Sequence, residues 1–131
     1  MSEFPLPGQH VVVDRGIYSH HGIFMGFRQG QPIVAELAKP SDGGIVRFIP
    51  WATFTKGQPA RIVQHEDGVQ LQQVLANVGR VNRLRPYDLL NWNCEHFATR
   101  CATHKSRSGQ VQLAFAALAA LLLVKLFKKA A

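Results

Sequence analysis

The chain has 131 residues, 15 Lys and Arg against 8 Asp and Glu, and a formal net charge of +7. A length of this order supports one domain-sized core with a tail and leaves no room for a second domain. The charge suits nucleic acid, acidic substrates or anionic lipid, but the arginines are scattered from Arg15 to Arg107 without interleaved aromatics, which argues against a base-stacking surface and against nucleic acid as partner.

Short β-branched or aromatic runs come first: Val11-Val12-Val13, Ile23 to Phe27, Ile33 to Leu37, Ile45 to Ile49 and Arg61-Ile62-Val63. Gly, Pro, Asp and Ser separate them, the punctuation of an antiparallel meander, and Gly43-Gly44 makes a turn between two of the runs. From Asp67 the period changes: Val69, Leu71, Val74, Leu75 and Val78 recur at helical spacing, with Asp67 placed to cap the start and Gly79 the end. Asn91 to His104 reads as a second helix with Asn91 or Asn93 as its N-cap. At about 100° per residue, Cys94, Phe97, Ala98 and Cys101 share one face and His96 points nearly the other way.

Ser106 to Gly109 forms a polar hinge, and Leu113 to Val124 is then uninterrupted apolar sequence followed by Lys125, Lys128 and Lys129. Extended to Phe127 it reaches about 25 Å as a helix, short of a ~30 Å hydrocarbon core. Because it is apolar on all sides and its lysines can reach headgroups, it is expected to insert in a membrane, with helix-mediated self-association and docking on the domain as the other uses of such a segment. The N-terminus has no apolar stretch preceded by positive charge, and Cys94 and Cys101 are the only cysteines, so a reducing, cytosol-facing location is expected.

Chemistry concentrates in Asn93-Cys94-Glu95-His96-Phe97 and Tyr18-Ser19-His20-His21-Gly22-Ile23-Phe24. A cysteine at a helix mouth and a histidine on a distant strand supply a thiol nucleophile and its proton acceptor, which points to acyl transfer or hydrolysis. The helix macrodipole and a nearby imidazole are expected to lower the Cys94 pKa. Strand alternation separates His20 from His21. Cys94, His96, Cys101 and His104 form a Cys/His cluster, but one helix does not wrap four ligands around zinc, so no metal is expected.

The two segments resemble the His box and the Asn-Cys-Glu-His-Phe box of the lecithin:retinol acyltransferase family, which includes small membrane-anchored phospholipase/acyltransferases. Pro7-Gly8 before the first strand, the Phe54 to Val63 segment with Gly57, and Gln110-Val111 echo it in the same order, over roughly residues 5 to 111. The resemblance implies an α+β fold: a small antiparallel sheet packed on helices, a circularly permuted papain-like core in residues 1–108, and a C-terminal apolar helix in 109–131 as membrane anchor. It implies Cys94 as nucleophile, His20 as base, Tyr18 close to the site as an oxyanion donor, and Asn93 and His96 as supporting residues of the box. Many members carry a second histidine on the next strand; here Glu36 stands in the corresponding run, with His65 in reserve as the group that orients the imidazole.

The expected reaction is attack by Cys94 on an ester carbonyl of a phospholipid or other acyl-ester lipid, through a thioester and without cofactor. A papain-like peptidase or amidase, or a membrane-tethered module without activity, are the competing readings.

Overall fold

A computed structural model describes residues 4–81, 87–88, 93–103 and 117–122. Five strands form one antiparallel sheet: β1 (His10–Asp14), β2 (Ser19–Arg28), β3 (Gln31–Leu37), β4 (Val46–Pro50) and β5 (Ala60–Val63), in the spatial order β4-β3-β2-β1-β5. The first four make the expected meander, and β5 returns to pair with the outer edge of β1. Gly43 and Gly44 sit at φ of 108° and 71° before β4, backbone that only glycine adopts without strain. With the helices described next, the fold is α+β.

Both faces of the sheet are covered, which explains why Val11, Val12 and Val13 are all buried rather than alternating. Helices α2 (Leu71–Arg80) and α3 (Cys94–Thr103) cover one face, where Ile23, Ala35 and Leu37 meet Val74, Val78, Phe97, Ala98 and Cys101. On the other face a five-residue helix, α1 (Trp51–Thr55), drives Phe54 into Val11, Val13, Phe24 and Val34. One turn is too short for periodicity to register, so α1 was not expected from the sequence.

Two expected helix boundaries are corrected. α2 begins after Gln70, without a side-chain cap: Gly68 turns back to the His65 carbonyl and Val69 N–H reaches Ala102, so Asp67 lies in a turn ahead of the helix. Gly79 lies inside α2, and the chain leaves the helix in extended conformation at Val81, with no left-handed residue to require a glycine.

Of the apolar tail, residues 117–122 are helical, with Leu118, Leu121 and Leu122 exposed. Among the described residues no helix is long and apolar enough to cross a membrane, so the transmembrane expectation is not supported. Six helical residues rise only about 9 Å. The rest of the Leu113 to Val124 run, its lysines, the Ser106 to Gly109 hinge, Gln110-Val111, Asn91 and His104 lie outside the described residues.

Candidate active site

Asn93 and His96 build the start of α3. The Asn93 carbonyl accepts from Phe97 N–H at 3.0 Å, its side-chain Oδ1 accepts from His96 N–H at 3.0 Å, and Asn93 N–H donates to His96 Nδ1 at 3.2 Å. This is a reciprocal capping box with imidazole in the place usually held by Glu or Gln. Accepting at Nδ1 fixes the neutral ring as the Nε2–H tautomer. His96 is buried, a supporting residue rather than a surface one.

Cys94 is the first residue of α3 and is 4% exposed. Its Sγ lies 3.8 Å from the Ser19 carbonyl, and the His21 N–H also stabilises it, so the sulfur meets β2 at the main chain on either side of His20. Burial pushes the thiol up to about 11; the Glu95 carboxylate adds to this, and the N–H groups of His21, Glu95 and Cys94 offset only part. The dipole argument predicted the opposite sign, because it counted the helix terminus and not the loss of water. Cys101, deeper in the core, is pushed by burial to about 12.

His20 projects to the opposite side of β2, the face it shares with Gly22 and Phe24 by alternation. Its ring lies 5.1 Å from that of Phe54 and is buried. His20 Nε2 bonds Glu36 Oε1 at 3.1 Å, and Arg47 Nε donates to Glu36 Oε2 at 3.2 Å. Register makes this array: Glu36 on β3 stands directly across from Arg47 on β4. Burial drives the Glu36 carboxyl upward, but the His20 bond and charge and the Arg47 guanidinium prevail and hold it below its ordinary value. With Nε2–H turned to this carboxylate, neutral His20 presents Nδ1 as a proton acceptor. Gly22 makes the packing possible: a Cβ there would stand 2.7 Å from Val34 Cγ1 and 2.9 Å from the Phe54 ring.

The structure therefore joins His20 to Glu36, and joins Cys94 to the backbone flanking His20. The thiol's hydrogen bond goes to the Ser19 carbonyl, so in this resting arrangement none joins thiol to imidazole. Tyr18 is 39% exposed and lines an open cleft of about 350 Å³ with Val12, Asp14, Ser19 and Arg61. Arg15 anchors the adjoining hairpin by donating to the Phe54 carbonyl at 2.7 Å. His65 bonds His10, whereas Glu36 is the partner of His20 Nε2. Sequence reasoning missed Arg47, for which an opposite charge across a strand pair was the available signal, and Tyr87. Burial raises the Tyr87 phenol, and the charges of Cys94 and Tyr18 raise it further; no local pattern marks it.

An α+β protein with a thiol at a helix start and an imidazole–carboxylate pair on the adjoining strands is the class these features define. The chain belongs to the lecithin retinol acyltransferase family, whose model matches residues 3–107. Its members are acyltransferases or phospholipases acting on lipids. No curated protein matches the chain.

Proposed function

We propose that this protein is a cysteine-dependent acyltransferase or hydrolase of lipid esters, with Cys94 as nucleophile, His20 as base and Glu36 holding the base in place. The observation that carries the reading is the His20 Nε2–Glu36 bond, which leaves Nδ1 to take a proton on the residue next to Ser19, whose carbonyl holds the thiol. For this reaction Sγ has to leave that carbonyl and reach the side of β2 that His20 occupies, a movement that a shift of the α3 start would supply. As Sγ bonds the ester carbonyl carbon, its proton passes to His20 Nδ1 in the same step, because a thiol held near 11 is not ionised beforehand.

The oxyanion is met by main-chain N–H groups at the start of α3 and by Tyr18. Collapse breaks the ester C–O bond, and His20 returns the proton to the departing alcohol. Water, an amine or another alcohol then gives its proton to His20 as it attacks the thioester, releasing acid, amide or ester and restoring Cys94–SH. This sequence calls for no metal or cofactor. The papain-like, circularly permuted relationship belongs to this reading, as does attachment of the domain to lipid surfaces through residues 109–131, for which the Lys-flanked apolar run is the support.

The test is to incubate the purified chain with mixed phospholipid vesicles, quench in acid and map acyl adducts by mass spectrometry. An adduct on Cys94, absent in Cys94→Ser and retained in Cys101→Ser, is expected; an adduct on Cys101 alone, or none, overturns the reading. Vesicle flotation with and without residues 109–131 tests attachment.

A further inference from the structure

On the α3 side of the sheet, three imidazoles run edge to edge. His10 Nδ1 lies 2.8 Å from His65 Nε2, and His10 Nε2 lies 2.7 Å from His21 Nδ1. The far nitrogen of His21 faces Glu95 Oε2 at 3.7 Å. His10 is on β1, His21 on β2 and Glu95 in the first turn of α3, while His65 follows β5, so the chain of rings crosses three strands and ends beside Cys94. These are hydrogen bonds and not the remains of a metal site: the 2.7 and 2.8 Å separations are shorter than the roughly 3.3 Å between two nitrogens on tetrahedral zinc. The two contacts also use opposite edges of the His10 ring.

Counting hydrogens decides what the chain tolerates. Each N···N contact must hold one hydrogen, and each neutral imidazole carries one. With His21 Nε2–H turned to Glu95, His21 Nδ1 accepts from His10 Nε2–H, and His10 Nδ1 accepts from His65 Nε2–H. Three rings have six nitrogens. One hydrogen in each of two contacts and one on each outer nitrogen makes four, one more than the neutral rings carry. A single added proton is therefore accommodated by shifting tautomers, whereas a second sets N–H against N–H.

We propose that the His65–His10–His21–Glu95 chain is a clamp that seats the first turn of α3, and with it Cys94, against β2, and that it absorbs one proton and opens at the second. His10 and His21 are then positioning residues, and their consequence for turnover rests on the acyl-transfer reading. Other groups facing the chain push in the same direction. Burial foremost, then His20 on β2, Arg61 from β5 and His65, disfavour charge on His21, and only Glu95 favours it. Burial foremost, then His21, His65 and Arg61, hold His10 well below its ordinary value.

Two variants of His10 test the clamp. The carboxamide of His10→Gln donates to one neighbour, accepts from the other and does not titrate. His10→Phe fills the space and makes neither bond. At pH 7.5, His10→Gln should keep kcat within about twofold on a short-chain soluble ester and move the acid limb of its pH profile to lower pH. His10→Phe should lose between about tenfold and 10²-fold in kcat, with KM little changed, the size of an ångström-scale misplacement.

In parallel, the Cys94 and Glu95 amide resonances of the parent are followed by NMR from pH 8 to 4, which requires no turnover. They should move together in a step steeper than one proton, and this step should flatten in His10→Gln. Amide shifts that ignore pH, or His10→Phe with the parent's kcat and profile, overturn the clamp. A parent without esterase activity whose Cys94 and Glu95 resonances show the steep step overturns the acyl-transfer reading and leaves the clamp standing.

Discussion

Alkylation of Cys94 by iodoacetamide, measured in Cys101→Ser so that one thiol remains, should rise tenfold per pH unit through neutrality without a plateau below about pH 10. The rate follows the thiolate fraction. With the thiol held near 11 by burial, that fraction at pH 7.5 is about 3 × 10⁻⁴, against about 3 × 10⁻² for a thiol at the ordinary 9.0. Cys94 should thus react about a hundredfold more slowly than an exposed cysteine, yet about tenfold faster than Cys101 in the reciprocal Cys94→Ser variant, since Cys101 stands near 12. Mass spectrometry of timed aliquots gives the rates. A plateau between pH 6 and 8 would refute the reasoning, because it would mean a resting thiolate–imidazolium pair and not a thiol that gives up its proton only during attack.

His20→Ala should lower turnover by a factor on the order of 10²–10⁴, the usual worth of a positioned base, with Glu36→Gln and Arg47→Gln giving progressively smaller losses; steady-state kinetics at pH 7.5 rank them, and equal rates for parent and His20→Ala would remove the histidine from the mechanism. Asn93→Ala breaks the capping box at the root of α3 and should cost about 1 kcal/mol in urea denaturation. Acid should destabilise the fold: His21 is lowered from 6.5 to about 4, so its contribution is complete above 6.5 and is lost as pH falls toward 4. That one group removes about 2 kcal/mol between pH 7 and 5, visible as a lower denaturation midpoint.

The five strands were legible because both faces of the sheet are apolar, so each strand stands out as a dense β-branched run between turn residues. Cys94 and His20 were picked out as candidates for another reason, each sitting in a short segment whose residue types suggest thiol chemistry. What was not legible depends on register. Arg47 could be matched to Glu36 only once the β3–β4 register was known, and the His10–His65 bond joins residues 55 apart. The Cys94 shift was misjudged in sign because burial is a property of the closed core, whereas the helix terminus can be read locally. Asp67 and Gly79 looked like caps by residue type, but contacts between the α2 approach and Ala102 set where that helix begins.

The spatial order β4-β3-β2-β1-β5 gives the two halves of the site different footing. His20 rides on the central part of the sheet, where β2 pairs with β1 through Val13 and, from Gly22 onward, with β3. Cys94 sits at the start of a ten-residue helix whose first turn is held by side chains, the Asn93–His96 box and the Glu95–His21 contact. Local opening of that turn would carry the sulfur away while the base keeps its station. On the acyl-transfer reading proposed above, the same asymmetry assigns the travelling part to the sulfur that would carry the acyl group and the fixed part to the imidazole.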